Sequence, residues 1–392
     1  MRSRRAAALV GLALGIGAAV AVGAAGLAGP DSSRARTSHG ASRTTEATRD
    51  DARSAASRER TRASAKARRL SVSCTRYAAP GGRDRNRGTK RNPFRTAQRL
   101  ADSLRAGQTG CLRGGLYDQV QDGYVLRVGR GGAPGEAVTI RGYPGERARL
   151  KGIVTVPAGS NHVRLSYIGI RGTGRANTVK IYARRVVVQN SNISNRGRGE
   201  SCMILGSTSG YGRARGVIVR RNRFHDCGDP GNDNKDHAVY VSNSLNARIV
   251  GNVFWRTAAY AVHLYPNARG TRVAHNVIDG GRPSNRGGIL FGGDSEFASS
   301  GNVVEQNVVA YARTSNITSN WDGLVGRRNV ARRNCLWGAR DGNIDSSNGG
   351  FRRGDNRVAR PRFVDRWERD YRLRPASRCR SVVGYDAAAL LP

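Results

Sequence analysis

The feature that most constrains this chain is a spaced repeat. An apolar residue, two variable residues, Asn, one variable residue and a second apolar residue recur at 219–224, 249–254, 273–278, 304–309 and 331–336. The repeated asparagines are Asn222, Asn252, Asn276, Asn307 and Asn334, separated by 30, 24, 31 and 27 residues. Two earlier segments, 165–170 and 188–193, fit with the Asn replaced. Steps of that size correspond to one turn of a solenoid built from a few short strands and loops of variable length. Propeller blades repeat over longer stretches and leucine-rich repeats carry a Leu consensus, and neither pattern occurs here. The Asn is expected at the bend between strands. There its amide can bond backbone groups, and Asn tolerates the left-handed conformation. Stacked turns would then hold the asparagines in a structural ladder, ~4.8 Å apart.

A second strand occurs once per turn. Side chains alternate along a strand, so its inward pairs read Val179/Ile181, Met203/Leu205, Val239/Val241, Val262/Leu264 and Ile289/Phe291. Every member is apolar, which specifies the register. The 51 glycines and the 6% of aromatic residues suit many short strands with tight turns.

The ends read differently. Phe94, Ala97, Leu100, Ala101 and Leu104 recur at helical spacing, with Pro93 at the expected start and Gly107 at the expected stop. An amphipathic helix there would cap the solenoid, whose terminal core cannot stay open to water. Residues 1–30 pair a basic start (Arg2, Arg4, Arg5) with an uncharged run, which is a secretion signal or a membrane anchor. Residues 31–70 read as a disordered basic linker, 71–137 as cap and first turn, 138–336 as β-helix repeats, and 337–392 as C-terminal tail and cap. Six cysteines agree with export, and no CxxC spacing points to zinc. Proximity in sequence suggests Cys74–Cys111, Cys202–Cys227 and Cys335–Cys379 among the 15 possible pairings.

The repeats, the segment Asn92-Pro93-Phe94 and the stretch from Tyr371 to Gly384 resemble the secreted bacterial right-handed parallel β-helix repeat proteins, the pectate-lyase-like superfamily. The resemblance covers residues 71–386 and is specific for fold rather than activity. It implies an all-β, right-handed parallel β-helix solenoid with an N-terminal amphipathic capping helix. It also implies a secreted or surface protein acting on an acidic polysaccharide, as a polysaccharide lyase or a uronate epimerase. The alternative is a non-catalytic β-helix that binds glycan or cell wall. The clustered Asp residues of pectin hydrolases with this fold have no counterpart here.

Outward positions on the second strand stack as Lys180, Ile204, Tyr240, His263 and Leu290, and two residues on as Tyr182, Gly206, Ser242, Tyr265 and Gly292. Tyr240, His263 and Tyr265 would share one exposed sheet face, with Lys235 and His237 on the loop entering it. A uronate lyase must neutralise a carboxylate, remove the adjacent proton and protonate the leaving oxygen, and Lys235, His237, Tyr240, His263 and Tyr265 supply suitable groups. The bland reading is that Tyr and His merely cover neighbours on an exposed sheet; for His237, whose parity places it near the core, a structural role fits as well. On this reading neither Tyr240 nor His263 is needed for packing. Asp233 and Asp236 are candidate calcium ligands in a loop crowded with acids, although the spacing matches no EF-hand-like pattern. A net charge of +39 has a bland reading, a genome biased toward GC-rich codons, and a functional one, an acidic partner such as an acidic polysaccharide or cell-wall glycan, while the motifs of specific nucleic-acid recognition are missing. A membrane contact is expected only through an uncleaved N-terminal segment, and the molecule is expected to be a monomer.

Overall fold

The computed structural model describes residues 72–232, 235–281 and 286–383. The readings of residues 1–30 and 31–70 lie outside the described residues, as do Asp233 and residues 384–392. No helix among the described residues is long and apolar enough to cross a membrane.

Among the described residues, three sheets of parallel strands form a solenoid. The first has eleven strands, from Arg76–Ala78 to Phe351–Arg353, and the third has ten, from Gly115–Tyr117 to Arg357–Val358. The second has nine and contains the strands Met203–Leu205, Val239–Leu245, Tyr260–Arg269 and Gly287–Gly293. Each Asn repeat spans the bend from the first sheet into the third. Val219, Asn222 and Phe224 are all fully buried, and the rings of Phe224 and Phe254 stack 5.1 Å apart on successive turns.

The asparagine ladder is present and is closed by hydrogen bonds. Asn252 Nδ2 donates to the Val219 carbonyl of the preceding turn at 2.9 Å and to Asn276 Oδ1 of the next at 3.0 Å. Its own Oδ1 accepts from the backbone N–H and the Nδ2 of Asn222, both at 3.0 Å. The pattern continues through Asn307 and Asn334 to Asn356, one turn beyond the repeats found in the sequence. A second column, Asn302 over Asn329, serves another corner.

One expectation about these corners is corrected. The left-handed residue is the one before the Asn: Arg221, Gly251, His275, Gln306 and Arg333 have φ of 54°, 65°, 55°, 55° and 51°. That residue turns the chain, and the turn points the following side chain into the core. Asn is selected there for its amide, which pairs groups that burial would otherwise leave unsatisfied.

The inward register holds, with Val179, Ile181, Met203, Leu205, Val239, Val241, Val262, Leu264, Ile289 and Phe291 fully buried. At the N-terminal end the helix is Ala97–Asp102, shorter than the spacing suggested. Thr96 is its N-cap, accepting from the Arg99 N–H at 3.0 Å, and Asp84 fixes Thr96. Pro93 therefore lies outside the helix, and Phe94 forms a parallel bridge with Ala78. Leu100 and Leu104 pack over Gly110, where a Cβ would come within 2.9 Å of both side chains.

All three proximity pairings occur as disulfides: Cys74–Cys111, Cys202–Cys227 and Cys335–Cys379.

Candidate functional site

The outward row of the second sheet is in the expected register, with Ile204 opposite Tyr240, Tyr240 opposite His263 and His263 opposite Leu290. Past this row the register shifts, because Tyr265 and Pro266 together face Ser242. The Tyr265 ring then lies over Gly292, where a Cβ would come within 2.8 Å of it.

The side chains are less exposed than the alternation suggested. His263 is 7% exposed and His237 2%. The reason is a residue that the alternation did not single out. Tyr260, at the start of the same strand as His263, is itself buried and walls in both imidazoles, with ring centroids 6.0 Å from His237 and 5.7 Å from His263. Tyr240 and Tyr265 close the other sides, 5.4 and 5.1 Å from His263. His263 is thus a packed residue, not a dispensable one. Tyr260 and His237, which complete its cover, come from the strand start and the entering loop, beyond the two positions that alternation assigns.

The two imidazoles form a directed chain. The Tyr260 backbone N–H donates to His237 Nδ1 at 3.3 Å, so the His237 proton sits on Nε2. That Nε2–H donates to His263 Nδ1 at 2.7 Å, which leaves the His263 proton on Nε2. His263 Nε2 is buried with no hydrogen-bond partner among the described residues. Burial holds both rings neutral: it pushes His237 down to about 3, and burial together with His237 pushes His263 well below the usual imidazole range. Burial also raises the Tyr240 phenol to about 12, against a smaller opposing effect of its bond to Ser242. Tyr265 is raised by burial first and then by Asp294 and Asp322. The cluster therefore offers a neutral N–H donor and two protonated phenols. It offers no imidazolium.

Lys235 is exposed on the entering loop and makes no hydrogen bond to these rings among the described residues. Asp236 is 3% exposed, and its Oδ2 accepts from the Asp229 N–H at 3.0 Å and from Asn232 Nδ2 at 3.1 Å. Its carboxylate fixes a turn. Among the described residues no group of three His, Cys, Asp or Glu side chains is placed to hold a metal.

A second feature was not read from the sequence. Where the second sheet turns into the first, a groove of about 960 Å³ is lined by Arg184, Arg185, Arg215, Arg248 and His162, with no acidic residue in its wall. Arg184 and Arg215 are register partners on adjacent turns. Like charges in register cost stability unless an anion lies between them. At one other place on the first sheet a carboxylate gathers arginines: Glu305 takes Arg272, Arg332 and Arg333 at 2.8, 3.0 and 3.0 Å. None of the four groove arginines makes an ion pair among the described residues. The signal in the sequence was the pair Arg184-Arg185, but only the solved register puts Arg215 and Arg248 beside it.

The stacked parallel sheets and inward asparagines define a right-handed parallel β-helix repeat protein. A family model described as the right handed beta helix region matches residues 152–322. A rhamnogalacturonan lyase structure superposes with a TM-score of 0.57 at 14% identity, over 75% of this chain and 91% of that one, a likeness of fold. A pectate lyase structure, Pel9A, gives a TM-score of 0.46 at 12% identity, over 79% and 92% of the two chains. The uncharacterized protein YwoF of Bacillus subtilis (strain 168) is 36% identical over 76 residues, which are 19% of this chain and 15% of that protein.

Proposed function

We propose that this protein is a secreted or surface β-helix that binds an acidic polysaccharide along its arginine-lined groove. The observation that carries this reading is the wall of Arg184, Arg185, Arg215 and Arg248 without a carboxylate to neutralise it. Guanidinium groups pair bidentately with carboxylates, and a rung-to-rung advance of ~4.8 Å suits a polymer that presents its charges at regular intervals. Three disulfides support an oxidising compartment. The helix Ala97–Asp102 serves as the lid on the first turn, and the molecule acts as a monomer. The name of a structural neighbour, a rhamnogalacturonan lyase, agrees with a glycan ligand.

The test is retention of polygalacturonate and alginate by the purified protein, with poly-L-glutamate as the control for charge alone. Binding of the uronate polymers should weaken steadily with salt. The triple variant Arg184→Glu/Arg215→Glu/Arg248→Glu should lose at least about tenfold in affinity while remaining folded. Undiminished binding by that variant, or equal binding of poly-L-glutamate, would overturn the reading.

A second reading, elimination or epimerisation at the Tyr240–His263–Tyr265 cluster, is favoured by the unpartnered His263 Nε2–H. On this reading Tyr265, in its minor phenolate form, takes the proton beside the uronate carboxylate, the His263 N–H stabilises the enolate oxygen so formed, and the Tyr240 phenol protonates the leaving oxygen as its bond to carbon breaks. Lys235 and His237 then act as a peripheral cation and as the residue that sets the His263 tautomer. Ultraviolet absorbance of an unsaturated uronate, followed on the same polymers, separates a lyase from a binding protein.

A further inference from the structure

A separate pocket of about 550 Å³ lies on the outer side of the third sheet, against the C-terminal hairpin formed by the antiparallel strands Phe363–Asp365 and Asp370–Leu373. Its floor is a locked ion pair. Asp279 ends the strand Val277–Asp279 and is 8% exposed. It takes Arg366 Nε at 2.9 Å and Nη2 at 2.8 Å, and accepts from the Tyr371 hydroxyl at 2.9 Å. The Arg366 guanidinium is held between two rings, 4.0 Å from the centroid of Tyr311 and 5.3 Å from that of Trp367. The one carboxylate in the pocket wall is therefore fully engaged.

The rim is not neutralised. Arg256 is tied to Asp226 and Arg340 to Asp341, but Arg313 and Arg369 have no acidic partner among the described residues. Trp367 stands beside them 82% exposed, its ring offered to solvent. A volume of this order suits one small molecule and leaves no room for a polymer laid along its length. An aromatic plane beside free guanidinium groups matches a sugar that carries a carboxylate: the C–H face of the ring packs on Trp367, and Arg313 and Arg369 meet the carboxylate.

We infer that this pocket is a monosaccharide-sized site for a hexuronate, free or at the end of a chain, distinct from the arginine-lined groove. It shares with the groove reading only the class of ligand. The two lie at different corners of the solenoid and use no residue in common.

The experiment is a titration of tryptophan emission in the full chain with galacturonate and with glucuronate, using glucose and acetate as controls. A saturable change is expected with at least one uronate and with neither control. Trp367→Phe should remove the signal, which distinguishes Trp367 from the buried Trp255. Arg313→Ala/Arg369→Ala should weaken the uronate by at least about tenfold without moving the melting temperature, since both side chains are exposed. No saturable change with either uronate, an equal response to acetate, or full affinity in the double-arginine variant overturns the inference. The two sites fail separately. The triple groove variant should keep the monosaccharide response, and the Arg313/Arg369 variant should keep its binding of polygalacturonate.

Discussion

The asparagine column and the histidine pair are both buried polar arrays spanning adjacent turns, and they end differently. In the column every amide donates and accepts, from Asn222 to Asn356, and each turn repeats the bonds of the last. In the pair the chain runs from the Tyr260 N–H through His237 to His263 and stops at an N–H with no partner among the described residues. A periodic, satisfied array is what stacking requires. An aperiodic array with a loose end costs stability and asks for another explanation, which a ligand oxygen would supply.

The largest effect should come from breaking the column. Asn276→Leu leaves the Ile249 carbonyl and the Asn252 N–H unpaired in a dry core, at a cost of about 3 kcal/mol in chemical denaturation. A loss under about 1 kcal/mol would show that water or relaxation repairs the column, and the contrast with the histidines would weaken. Tyr240→Phe removes a hydroxyl and keeps the ring, so it should cost no more than about 1 kcal/mol of stability. On the elimination reading the same variant should lower turnover by about 10²-fold. Unchanged turnover would leave the cluster as packing alone.

A smaller effect separates the arrays by pH. Both imidazoles have folded pKa values below their unfolded value of 6.5, so the unfolded chain binds protons that the folded one refuses. Their stabilisation is complete above pH 6.5 and is lost as pH falls toward about 3 for His237. Each histidine contributes a slope of about 1 kcal/mol per pH unit in that window. The asparagines contribute none. Denaturation of wild type and His263→Phe between pH 7 and pH 5 reads this directly, and parallel curves would show that His263 is not held neutral. The smallest effect is expected from Gly292→Ala, which pushes the Tyr265 ring from its place over the strand at about 1 kcal/mol or less. Glycan binding or turnover should change more than the melting temperature, and the reverse would mark Tyr265 as structural.

The sequence carried the fold well, because stacking makes local pattern and global structure the same thing. Val239 and Val241, or Val262 and Leu264, could point only one way, and the Asn spacing marked the turns. The site was legible only in part. Alternation located Tyr240 and His263 in register, but it says nothing about what lies over a side chain, and Tyr260 covers both histidines. Arg184, Arg215 and Arg248 are far apart in sequence, and nothing in their local surroundings sets them apart from the other arginines. Loop lengths that vary from turn to turn decide which of them meet.

Two of the cross-links have a consequence for resistance to proteolysis. A stack in which each turn touches only its neighbours comes apart from its ends, as a rope unlays from its cut strands. Here Cys74, beside the first strand, is tied to Cys111 on the next turn, and Cys335 near the last turns is tied to Cys379 before the final helix. Both whipping points are covalent. An exopeptidase that nibbles inward from either terminus would meet a bonded pair before reaching the repeats, so durability in a protease-rich medium depends on two bonds at the extremities more than on the many turns between them.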